Sequence, residues 1–159
     1  MTISQATFNV TRDYPHRIEN VYQAFADEGT KRRWATARNA PENESFKLDF
    51  RIDGREFSAF RLPDAPHLPP EVRGQRITNE AVYHDIVERE RIVYSYRMTI
   101  GGACMSVSLV TIEFLATTSG TKLTFTEQGS YFDNADGPAM REGGWNDLLD
   151  GLGKVLAVS

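Results

Sequence analysis

The stretch DGPAMREGGWNDLLDGLGKVL, Asp136 to Leu156, decides the fold. Asp136, Gly137 and Pro138 give a helix start, because proline's fixed φ suits the first helical position and its missing N–H costs nothing there. Trp145, Leu148, Leu149, Leu152, Val155 and Leu156 then recur on one face, with Asn146, Asp147, Asp150 and Lys154 opposite. Gly144, Gly151 and Gly153 flank the apolar stripe. Each costs about 1 kcal/mol against alanine in a helix interior, so they mark either close backbone approach or a tolerated weak helix. This is the only long amphipathic helix in the chain, and whatever apolar surface precedes it must be buried on it.

That preceding surface reads as a sheet. In Ser45–Phe57, SFKLDFRIDGREF, Phe46, Leu48, Phe50 and Ile52 alternate with Lys47, Asp49, Arg51 and Asp53. One apolar and one charged face is the pattern of an antiparallel strand with a wet side. Asp53-Gly54 reads as a two-residue hairpin into a strand from Arg55 to Leu62. Further strands follow at Ile77–Val87, Ile92–Ile100, Ser106–Leu115 and Thr121–Gly129, with turns at the ERER run, at Gly101-Gly102 and at Thr117–Gly120. Before them, Ala6–Arg12 reads as a first strand. Arg17–Glu28 reads as a helix with Ile18, Val21, Tyr22 and Phe25 on one face, stopped by Gly29. Thr30 then caps a short helix through Trp34. Leu62–Arg76, with four of the seven prolines, is a loop excursion. The expected architecture is α+β: a curved antiparallel sheet of about six to seven strands wrapped around the long C-terminal helix, with two short helices after the first strand.

The 159 residues suit a single domain spanning 1–159. A composition 40% hydrophobic and 25% charged is that of a globular protein, and the net charge of −4 argues against nucleic acid as a partner. The N-terminal MTISQATFNVTRDYP lacks the basic and apolar regions of a secretory signal, and no stretch is apolar for the ~18 residues a membrane span needs. With a lone Cys104 besides, the expected location is cytoplasmic. His16, His67 and His84 are scattered, no metal or cofactor motif occurs, and neither a metal nor a cofactor is expected.

Five segments in order resemble one family. ENVYQAF (Glu19–Phe25) with Trp34 beyond it, DFRIDGREF (Asp49–Phe57), ERERIVYSY (Glu88–Tyr96), TKLTFTEQG (Thr121–Gly129) and GWNDLLDGL (Gly144–Leu152) are similar to the activator-of-heat-shock-protein-90-ATPase-like family. That family lies in the START-like, birch-pollen-allergen-like (SRPBCC) superfamily. The resemblance implies a helix-grip fold with an internal hydrophobic cavity. The family spans apolar-ligand carriers, cyclase-like enzymes and a domain of a chaperone activator linked to the stress response. Asp53 stands where the family commonly has a second glycine, and the proline-rich loop is long.

Within such a cavity, Trp34, Phe50, Phe60, Tyr83, Tyr94, Tyr96, Phe125, Trp145 and Leu149 are the expected lining, with tyrosine hydroxyls orienting a ligand. If the alternation of Leu123 and Phe125 continues, Glu127 points inward and is the candidate general acid or base; if the strand ends there, Glu127 is solvated. Tyr83, His84 and Arg97 are weaker candidates, since alternation there does not say which face is inward. Lys31, Arg32 and Arg33 read as a solvated helix end. The expected function is binding of a small hydrophobic or aromatic, lipid-like or polyketide-like, molecule for sequestration or delivery. A cyclase, dehydratase or hydrolase using Glu127 is the alternative, a chaperone-interaction module the third. A homodimer is left open.

Overall fold

The computed structural model describes residues 2–36, 43–133 and 136–158, with backbone alone at 43 and 44. Seven strands form one antiparallel sheet: β1 (Ile3–Tyr14), β2 (Asn43–Leu48), β3 (Arg55–Arg61), β4 (Arg76–Val87), β5 (Arg91–Ile100), β6 (Ala103–Thr117) and β7 (Gly120–Phe132). Helices α1 (Ile18–Ala26) and α2 (Glu28–Ala35) follow β1, and α3 (Pro138–Ala157) closes the chain. The spatial order is β1-β7-β6-β5-β4-β3-β2, so the six consecutive strands form a meander and the first strand returns to pair with the last. This is the helix-grip architecture. No helix among the described residues is long and apolar enough to cross a membrane.

The core lies on the sheet face that meets the helices. Inward positions follow the two-residue period: Ile92, Tyr94 and Tyr96 on β5, Val110, Ile112 and Phe114 on β6, Leu123 and Phe125 on β7. Leu149, Leu152 and Leu156 of α3 complete it. The middle of α3 is fixed to β1. Tyr14 donates from its buried hydroxyl to the Leu149 carbonyl at 2.7 Å, and Arg12 reaches the Asn146 side chain at 2.8 Å. A Cβ on Gly153 would stand 3.4 Å from the Tyr14 ring, so this glycine answers to close approach.

Three local expectations give way. The first helix ends at Ala26, not Glu28, and Gly29 lies inside α2 rather than stopping α1. The cap of α2 is Asp27, whose carboxylate accepts from the Thr30 N–H and hydroxyl; Thr30 is the capped residue. The alternation from Phe46 does not run to Ile52. β2 ends at Leu48, and residues 49–54 form a wider turn with Asp53 at φ 66°. Hydrogen bonds between this turn and Tyr83 of β4 hold it, which turns Phe50 against Tyr22 and Tyr83 and leaves Ile52 exposed.

Candidate functional site

β7 carries Leu123, Phe125 and Glu127 at alternate positions, and all three are fully buried. The alternation persists because the strand runs on to Phe132, paired with β1 on one side and β6 on the other. In that register Glu127 lies between Phe8 and Val110. A bare carboxylate among such neighbours would cost several kcal/mol, so it has to be compensated.

The compensation is complete. Oε1 accepts from the Tyr96 hydroxyl at 2.6 Å and from the Trp145 indole N–H at 3.1 Å. Oε2 accepts from the Tyr131 hydroxyl at 2.6 Å and the Ser108 hydroxyl at 3.2 Å. Arg141, itself buried, places Nη1 3.7 Å from Oε2. The same guanidinium donates to the Tyr96 oxygen at 2.8 Å, to Ser106 at 2.9 Å and to the Asp136 carboxylate at 2.9 Å. Burial opposes the charge on Arg141, but Tyr96, Asp136 and Glu127 outweigh it and hold the guanidinium ionised. Gly129 makes the arrangement feasible. A Cβ there would stand 2.7 Å from the Ser108 oxygen and 2.8 Å from the Tyr131 oxygen, where both reach for Glu127.

Around this cluster the aromatic side chains pack on one another. Phe125 and Trp145 have ring centroids 4.2 Å apart, Tyr83 and Tyr94 5.5 Å, Tyr94 and Tyr96 6.1 Å, Phe50 and Tyr83 5.2 Å. Trp34 is fully buried against Phe25 and donates its indole N–H to the Ala24 carbonyl, a core role. Leu149 is fully buried beneath α3. Phe60 pairs with Ile77 across β3 and β4, away from the central aromatic group. Two hollows of about 530 and 400 Å³ open on the outer sheet face, the first beside Phe57, Arg97 and Thr99, the second beside Val107, Gln128 and Ser130.

A second buried polar group corrects the reading of Lys31. It is no solvated helix end: Lys31 is 3% exposed and donates to Glu56 at 2.5 Å and to the Tyr83 hydroxyl at 3.0 Å, over the Tyr94 ring. Burial alone would lower its pKa, but the charges of Glu56 and Tyr83 raise it above the usual lysine value. His84 and Arg97 point outward, His84 to Ser95 and Arg97 to Glu80.

Of the expected site residues, the structure brings together Glu127, Tyr96, Phe125 and Trp145. Sequence reasoning missed Arg141, Ser106, Ser108, Tyr131 and Asp136. A signal existed for Arg141, four residues before Trp145 and eight before Leu149, on the extension of the apolar stripe. Ser106 and Ser108 fall in step with Val110 and Ile112. Chemically, each Glu127 oxygen accepts from two donors, so the carboxylate orients the groups around it.

All six tyrosines are raised above their usual pKa of 10.0, burial being the first cause for each. A raised phenol stabilises the fold below the unfolded value and loses that contribution as pH climbs through the folded one. Tyrosinate absorbance is therefore expected to stay flat past pH 10.0 and then rise in one step together with loss of far-ultraviolet circular dichroism. A gradual titration centred at 10 in a folded protein would contradict the burial described.

A family model described as Activator of Hsp90 ATPase homolog 1-like protein matches residues 15–157. A solved protein from Rhizobium loti is 38% identical, with 98% of this chain and 99% of that chain covered and a TM-score of 0.83. An uncharacterized protein from Rhizobium leguminosarum is 30% identical, with 99% and 98% covered and a TM-score of 0.87. An AHSA1-like protein from Aeromonas hydrophila, 16% identical over 96% and 93% of the two chains, shares the fold at a TM-score of 0.69. No curated protein matches significantly.

Proposed function

Since this chain belongs to the Activator of Hsp90 ATPase homolog 1-like family, a START-like group in which ligand binding is common, we propose that it binds a small aromatic or otherwise hydrophobic molecule between α3 and the sheet. The observation that carries the reading is Glu127: a fully buried carboxylate ringed by two tyrosines, a serine, an arginine and the half-buried Trp145. For stability alone, an apolar residue of similar volume would serve as well or better. Such a cluster in an aromatic interior is suited to reading one polar group on an otherwise apolar guest, whose affinity comes from burial at about 25 cal/mol per Å². Binding displaces some of the closely packed rings, and the partly exposed Trp145 on α3 is where that displacement begins. Sequestration or delivery in the cytoplasm, without a cofactor, is the corresponding role.

Native mass spectrometry of freshly purified protein and a thermal-shift screen of aromatic compounds test this. A co-purifying small molecule, or a compound that raises Tm in proportion to its concentration, is expected. A bare mass with no shift across the screen would remove the proposal. The cyclase- or hydrolase-type alternative rests on the same residue. Glu127→Gln separates the two: a binder loses affinity, an enzyme keeps binding and loses turnover. The saturated carboxylate favours the binder.

A further inference from the structure

Trp145 is the half-buried ring of the Glu127 cluster; Tyr96, Ser106, Ser108, Glu127, Tyr131 and Arg141 are all buried. Its ring lies against Phe125 at 4.2 Å between centroids, inclined by 37°, and its N–H meets the Glu127 carboxylate at 3.1 Å. It thus satisfies both demands the site makes on a guest, a flat apolar surface for Phe125 and one donor for Glu127. The other tryptophan is committed elsewhere, fully buried with its N–H on a backbone carbonyl. Trp145 itself is partly open to solvent, and Gly143 and Gly144 just before it are exposed. Those glycines also weaken this stretch of α3. The indole is therefore the ring of the cluster that solvent already reaches.

We propose that Trp145 is a tethered occupant of the ligand seat, and that the seat takes a planar aromatic molecule carrying a single N–H or O–H donor, which enters as the indole turns out. This rests on the binding reading above and names the class of guest. A donor-free ring of the same shape leaves Glu127 one hydrogen bond short in a buried site, the kind of mismatch that discriminates strongly between analogues.

Trp145→Ala empties the seat, and indole with 1-methylindole, the same shape without the N–H, are the probes. Titration calorimetry and thermal shift are expected to show the variant binding indole at least about tenfold tighter than 1-methylindole, with indole restoring part of the lost Tm. Wild type is expected to bind indole more weakly than the variant, because its own ring competes, and to become more open to acrylamide quenching at Trp145 as indole enters. If Trp145→Ala does not fold, Trp145→Phe keeps the ring against Phe125 without the donor. It is expected to bind indole no better than wild type does, and tighter binding would overturn the proposal. Equal binding of the two probes by Trp145→Ala, or of neither, overturns it too, while a co-purifying ligand in wild type would still uphold the broader binding role. An indole-selective variant beside a wild type that never exchanges its ring would show a permanent plug, overturning both.

Discussion

Arg141→Met is expected to lower the unfolding temperature by about 10 °C, through a loss of about 3–5 kcal/mol once Glu127 is buried without its cation. The arginine is 6% exposed and serves four groups at once: Tyr96, Ser106, Asp136 and, at 3.7 Å, Glu127. Methionine fills a similar volume, so the loss reports the missing charge and hydrogen bonds rather than a void. The double variant Arg141→Met/Glu127→Leu removes the stranded charge as well. It should be no less stable than Arg141→Met alone, far from the sum of two damaging changes. Thermal melts of the two singles and the double at pH 7 decide this. Additive losses, or an unchanged Arg141→Met, would show that the two side chains are not coupled.

The second large effect is expected at Lys31. Lys31→Met leaves the Glu56 carboxylate, whose side chain is 16% exposed, and the Tyr83 hydroxyl without their shared donor. A cost of about 3 kcal/mol follows. Arg32 next to it is exposed, and Arg32→Met should stay within about 0.5 kcal/mol of the parent. Urea melts of the pair test the contrast. Similar midpoints for both variants would mean that the buried lysine is worth no more than a surface one. Because the ammonium pKa is raised, its contribution holds below the usual lysine value of 10.5 and disappears only at higher pH. The difference between the variants should thus be as large at pH 9 as at pH 7.

Periodicity made the architecture readable. The two-residue period from Ile77 to Gly129 and the helical stripe from Trp145 to Leu156 report which faces must be buried, and a one-sided sheet followed by one long amphipathic helix has few ways to close. Boundaries were less readable where a turn takes its shape from a distant partner. The 49–54 turn is held by Tyr83, some thirty residues on, and no local pattern carries that information. For the site, the register of Glu127 followed from Leu123 and Phe125, but its surroundings did not. The compensating groups come from β5, β6, β7 and α3, and polarity in sequence made Lys31 look like a surface residue. Burial of a long cation depends on a partner brought in by the fold, Glu127 in one case and Glu56 in the other. The crowding of the aromatic rings was likewise invisible, since composition counts rings without saying how closely they approach.

The proline-rich excursion between β3 and β4 leaves and re-enters the sheet at one place. Leu62 donates to the Gln75 carbonyl and Gly74 to the Leu62 carbonyl, while Arg73 ties the interior through the carbonyls of Leu68 and Pro66. Everything between these two hydrogen bonds is a self-contained cassette hung on a closed clasp. Its length and composition can drift, or be exchanged by an engineer for another sequence, without shifting the register of Phe60 on Ile77 or anything beyond it.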